Sequence, residues 1–172
     1  MNKKNEYVEP KTKKAMNAIK LNEFETSLEL AEVKVVYKRS RRNVIKITNS
    51  KDSFENLFPL FDKDIIEYKE DFYLLLLNRP HCLLGWVKLS SGGTTGTVAD
   101  PKIIFAIAVQ TNAYSIVLCH NHPSNNLSPS NEDKKLTERI KEGGKLLDIH
   151  LLDHLIVSPD GNYFSFADEG VL

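Results

Sequence analysis

Phe72-Tyr73-Leu74-Leu75-Leu76-Leu77 is apolar at six successive positions, with no alternation. A strand with one wet face alternates apolar and polar residues, so a run like this predicts a strand buried on both faces. Such a strand needs covering layers above and below it. Asp100-Pro101 offers an N-cap followed by proline at the first helical position, which predicts a helix over about 101–112. Ile103, Ile104, Ile107 and Ala108 recur in it at helical spacing, and Asn112 is its expected stop. Residues 130–147 read as a second helix with Leu136, Ile140 and Leu147 on one side, although Gly143-Gly144 weakens its latter half. Strands are expected at 115–119 and 151–157, with 83–89 pairing near the first strand. Residues 163–166 should return as a hairpin strand after the turn Pro159-Asp160-Gly161-Asn162. Strand and helix alternate, which predicts an α/β fold with a mixed central sheet flanked by helices.

Upstream of that body the composition changes. Residues 1–28 are polar and lysine-rich, and read as a mobile or partner-dependent extension. Residues 29–50 form a basic region in which Val33-Lys34-Val35-Val36-Tyr37 suits a short strand. The domain proper is expected over 51–172. There Asn49-Ser50-Lys51-Asp52-Ser53 reads as a turn ahead of Phe54, Leu57 and Phe58, which have the spacing of a short amphipathic helix. The 172-residue chain has zero net charge, yet residues 1–46 hold 12 Lys/Arg against 6 Asp/Glu, while the remainder holds 11 against 17. A polyanion would therefore meet the arm, and Lys38, Arg39, Arg41 and Arg42 are the candidate DNA contacts. No apolar run approaches the roughly 18 residues that span a bilayer, and the first residues lack the apolar region of a secretory signal. A cytoplasmic protein with no membrane segment is expected. Cys82 and Cys119 match neither a disulfide framework nor a metal knuckle, so reduced thiols are expected.

The chemistry concentrates after residue 119. In His120-Asn121-His122-Pro123 the two histidines stand two apart in extended chain, so both imidazoles face one side and can meet one ion. Asp133 follows at the third position of a helix capped by Ser130, and the intervening loop can fold its carboxylate back toward them. Two nitrogens and one oxygen leave a tetrahedron open at its fourth position, the pattern of a catalytic zinc site with room for water. Ser130-Asn131-Glu132-Asp133 also has the form of a helix capping box, and an isolated His-x-His is often an ordinary polar turn.

Taken together, His120-Asn121-His122-Pro123, the six residues after it, Ser130 and Asp133 resemble the JAMM motif of the JAB/MPN metalloprotease superfamily. From about residue 54 to 172 the chain resembles the RadC-like branch. Glu70-Asp71-Phe72-Tyr73-Leu74-Leu75-Leu76-Leu77-Asn78, Leu152-Asp153-His154-Leu155-Ile156 and Ser165-Phe166-Ala167-Asp168-Glu169-Gly170 carry that likeness. It departs at Asn125, where the family usually has glycine. Asparagine tolerates left-handed backbone better than most residues. The helix-hairpin-helix region found in full-length relatives is not recognisable here.

The resemblance implies an architecture shared with cytidine deaminases, and one zinc ion held by His120, His122 and Asp133. It also implies a glutamate that holds the attacking water and moves its proton. Glu70, just before the buried strand, is the choice, with Glu67 and Asp71 as competitors. Ser130 would cap its helix and donate to an oxyanion. The expected activity is that of a metallopeptidase or isopeptidase on a protein or peptide. The alternative is a non-enzymatic DNA-repair or mobile-element accessory protein that binds DNA through its basic arm. Neither the scissile bond nor an oligomeric state follows from the sequence.

Other candidates carry less. The glycine-rich stretch 92–97 lacks the Lys-Ser/Thr ending of a phosphate-binding loop. Cys119 should face away from His120 as a buried structural thiol. His154 reads either as a core histidine or as a partner behind the metal ligands, and His81 and His150 give no signal.

Overall fold

The computed structural model describes residues 44–92 and 99–172. The strand expected at 33–37, the basic cluster 38–42 and residues 93–98 lie outside them. Among the described residues five strands form one mixed sheet in the order β2-β1-β3-β4-β5. β1 (Asp71–Leu77) pairs antiparallel with β2 (Leu83–Ser91) on one side and with β3 (Ser115–Asn121) on the other. β3 runs parallel to β4 (His150–Val157), which turns back into β5 (Tyr163–Ser165). Every residue of β1 and β3 is buried, as the unalternating run demands.

Alternate side chains of these strands feed two cores. Tyr73, Leu75, Val117, Cys119, Leu155 and Val157 pack on one face, under Leu57 of α1 (Ser50–Leu57). Phe72, Leu74, Ile116 and Leu118 pack on the other, beneath Ile104 and Ala108 of α2 (Pro101–Gln110) and Ile140 of α3 (Asn131–Leu147). Side-chain alternation therefore separates any polar group on β3 or β4 into one of two compartments.

Several boundaries differ from the sequence reading for identifiable reasons. Residues 50–53 are helical, because Asn49 caps α1 by accepting Asp52 N–H at 2.8 Å. Ile47, ahead of that cap, is already buried in the first core. α2 stops at Gln110, where Thr111 caps it through Ile107 O, and Asn112 takes a left-handed φ of 52°. Ile103 and Leu147, expected on apolar faces, are half exposed. α3 runs unbroken through Gly143-Gly144. A Cβ at Gly144 would overlap the carbonyl oxygen of Ile149, and one at Gly143 would lie 2.7 Å from the Phe105 ring. The glycines admit close packing, and what they cost in propensity the contact with α2 and with Ile149, just before β4, offsets. No helix among the described residues is long and apolar enough to cross a membrane.

Candidate metal centre

The site stands at the end of β3, on the α2/α3 face of the sheet. Parity sends His120 to that face, buried, and His122 emerges on the same side just beyond the strand. His122 is still held to the sheet by its N–H, which donates to Val157 O at 2.9 Å. The chain then turns through Asn125, whose φ of 60° is the left-handed geometry a glycine would take there. That turn brings Asn126 O to 2.5 Å from His122 Nδ1.

Asp133 arrives from the opposite direction, as residue N3 of α3. Ser130 caps the helix: Asp133 N–H donates to Ser130 Oγ at 3.1 Å, and Ser130 N–H donates to Asp133 Oδ2 at 2.8 Å. The Ser130 hydroxyl also donates to Oδ2, at 2.6 Å. The capping box and the ligand reading of the sequence are thus one arrangement, in which the cap aims the carboxylate. Oδ1 is left facing His120 Nε2 at 3.2 Å, and Oδ2 lies 3.8 Å from His122 Nε2.

His120, His122 and Asp133 each present one donor atom within 4.8 Å of the others. The two Nε2 atoms are 3.0 Å apart. His122 Nδ1 faces a carbonyl oxygen, which can only accept, so Nδ1 donates there and Nε2 is the ring nitrogen turned toward His120. Burial, only partly countered by the Asp133 charge, lowers the His120 pKa to about 4, so this imidazole is neutral at pH 7. An unprotonated nitrogen, a second imidazole nitrogen and a carboxylate oxygen within such distances form an electron-rich corner. A tetrahedron with metal bonds of about 2.0–2.1 Å has edges of about 3.3–3.4 Å, close to the separations found. The donor set fits one divalent ion of the zinc type.

Aromatic rings cover the buried histidines. Phe72 stacks on His120 with centroids 5.4 Å apart, and Phe166 stacks on His154 at 4.8 Å. His154 is the partner behind the ligands: its Nε2 lies 3.0 Å from His120 Nδ1, and its Nδ1 lies 2.7 Å from the Thr137 hydroxyl. Burial holds the His154 pKa well below the ordinary histidine value.

Glu70 is half-buried and immediately precedes β1. The β1–β3 register begins at Phe72 opposite His120, so Glu70 stands two residues before the strand position that faces a metal-ligand histidine. Asp71 points the other way. Lys88 Nζ and Ser91 Oγ each donate to its carboxylate at 2.6 Å, on the α1 face, so it does not compete for the role of base. Cys119 also lies on the α1 face, fully buried, and burial raises its thiol pKa.

Two residues that the sequence reading passed over complete the frame. Asn121, between the two histidines, turns its amide to the α1 side. Its Nδ2 donates to Ile66 O at 2.7 Å and to Lys69 O at 2.9 Å, and its Oδ1 accepts Asp71 N–H at 2.7 Å. It thereby ties the segment carrying Glu70 to the metal strand. Thr137 stands one turn after Asp133, and that i, i+4 spacing was the available signal for it.

The chain matches the family model described as the RadC-like JAB domain over residues 47–171. It is 40% identical over 126 residues to a UPF0758 protein of Flavobacterium johnsoniae, an alignment that covers 73% of this chain and 53% of that protein. A UPF0758 protein of Porphyromonas gingivalis is 42% identical over 126 residues, with 73% and 54% covered. One from Aquifex aeolicus is 40% identical over 146 residues, with 82% and 61% covered. The chain thus spans between about half and three-fifths of the length of these curated relatives. With Glu70, both histidines, Ser130 and Asp133 all inside the matched span, the chain belongs to the RadC-like JAB domain family.

Proposed function

We propose that this domain is a single-metal hydrolase of the JAMM type that cleaves an amide or isopeptide bond, with zinc as the ion that His120, His122 and Asp133 hold. The observation that carries the reading is the convergence of the two Nε2 atoms and the Asp133 carboxylate in one partly desolvated corner. When bound, zinc supplies a Lewis acid that polarises a carbonyl and brings the pKa of a coordinated water down to about 7. In this reading Glu70 accepts the proton of the attacking water and returns it to the departing amine. The Ser130 hydroxyl first orients Asp133, to which its proton now points, and turns to the developing oxyanion once substrate is present. Phe72 limits water around His120, which strengthens each of these electrostatic contacts.

Metal analysis of wild type beside His120→Ala and Asp133→Ala tests the centre: zinc at one equivalent in wild type, and little in the variants, is expected. Glu70→Gln should retain zinc and lose about 10²–10⁴-fold in turnover of an isopeptide or peptide substrate. A wild-type protein that takes up no zinc, or a Glu70→Gln variant as fast as wild type, overturns the respective assignment.

A second reading, contact with DNA through Lys38, Arg39, Arg41 and Arg42, is favoured by the charge division of the sequence. Replacing all four by serine should weaken binding and flatten its salt dependence, since each phosphate contact adds about 0.9 to the log–log slope. An unchanged slope counts against it.

A further inference from the structure

Behind the metal-facing atoms, His120, His154, Thr137 and Asp133 form a closed ring of contacts drawn from β3, β4 and α3. Thr137 Oγ1 lies 2.6 Å from Asp133 O and 2.7 Å from His154 Nδ1, and His154 Nε2 lies 3.0 Å from His120 Nδ1. Asp133 Oδ1, 3.2 Å from His120 Nε2, closes the ring. We propose that Thr137 and His154 are positioning residues, a relay that holds His120 as the Nδ1–H tautomer and thereby presents its Nε2 lone pair to the ion. The proposal rests on the metal-centre reading above.

Counting protons gives the relay its direction. A carbonyl oxygen can only accept, so the single hydroxyl proton of Thr137 goes to Asp133 O. Toward His154 the Thr137 oxygen can then only accept, which sets the His154 proton on Nδ1. A neutral imidazole carries one N–H, so His154 Nε2 is an acceptor and His120 Nδ1 must donate to it. His120 Nε2 is left bare, on the side of His122 and Asp133. The origin of this polarity is a backbone carbonyl, a group that neither flips nor titrates. It belongs to Asp133, so the residue that supplies the third ligand atom also fixes the tautomer of the first. Partners of this kind, which donate to or accept from the far nitrogen of a metal-binding histidine, are worth about 10–100-fold in metal affinity.

Long-range ¹⁵N–¹H imidazole correlation on the zinc-free wild type at neutral pH reads the tautomer directly. A His120 ring protonated on Nδ1 is expected, and one protonated on Nε2 overturns the proposal without any variant being made. Zinc affinity by competition with a chelator supplies the second readout. Thr137→Val keeps the shape and loses the hydroxyl, and should bind zinc about 10–100-fold more weakly than wild type. Thr137→Ser, which restores the hydroxyl, should recover most of that loss. Equal affinity in wild type and a folded Thr137→Val overturns the relay alone, whereas a wild type that takes up no zinc overturns the metal-centre reading and this inference with it.

Discussion

The side-chain oxygen of Asn121 accepts the backbone N–H of Asp71 at 2.7 Å, and this bond adds to the β1–β3 pairing a tie at the residue next to Glu70. The amide nitrogen of the same side chain donates to Ile66 O and Lys69 O, so all of its capacity on this side is used. The middle residue of His-Asn-His thus works on the opposite face of the sheet from its neighbours.

Asn121→Asp keeps the acceptor for Asp71 but removes both donations and adds a buried charge. A loss of about 2–5 kcal/mol is expected, from carbonyls left unpaired and from the unpartnered carboxylate. Chemical denaturation measures it. If the segment before β1 shifts, turnover should fall more than zinc affinity does. A variant as stable as wild type would show that Asn121 does not hold this segment.

Removal of metal should lower stability by mass action. With free zinc at about 100 times its Kd, the loaded protein gains about 2.7 kcal/mol, which for a domain of this size is a rise of about 10 °C in Tm. Thermal melts with zinc and with excess chelator would reveal it. Coincident melts would mean that the folded state binds no zinc.

Acid should destabilise the metal-free protein earlier than carboxylate titration alone would. The His120 pKa is about 4 in the folded state, and that of His154 is also well below the ordinary value of about 6.5 that both regain on unfolding. The unfolded chain therefore binds more protons in this window. The stability these two histidines contribute is complete above about pH 6.5 and falls as pH drops, for His120 by about 1.4 kcal/mol per pH unit on the way toward 4. Asp153, whose carboxyl burial raises, acts with the opposite sign near the lower end of the window. Denaturant titrations at pH 7.5, 6 and 5 measure the trend, and a flat profile would show that the two histidines do not remain neutral in the fold.

Much of this was legible in the sequence because the signals were local. The unalternating run at 72–77, the Asp100-Pro101 helix start and the Ser130 cap each depend on a few adjacent residues, and each is found where expected. His120, His122 and Asp133 were legible through their spacing. Of their partners, His154 was legible only as one of two alternatives and Thr137 not at all, because pairing across elements creates these contacts. Nothing near His154 in the chain announces His120, and only the parallel register of β3 and β4 makes them diagonal neighbours on one face. Asn121 was hidden for a related reason: its three partners lie 50 to 55 positions away. The start of α1 was misplaced because residues that favour turns are also those that open helices.

Gly144 lies eleven residues beyond Asp133 on α3, about 16 Å along the axis, where the absence of a side chain lets the helix rest against the backbone of Ile149. The helix behaves as a beam seated at both ends, on the backbone of Ile149 at one and on the Ser130 cap and His154 at the other, where it bears a ligand. A methyl group at Gly144 would overlap the carbonyl oxygen of Ile149, so either that backbone or the helix that also carries Asp133 would have to give way. Alterations that disarm such a centre can therefore arise well outside the neighbourhood of the chemistry, at a position whose only property is that nothing is there.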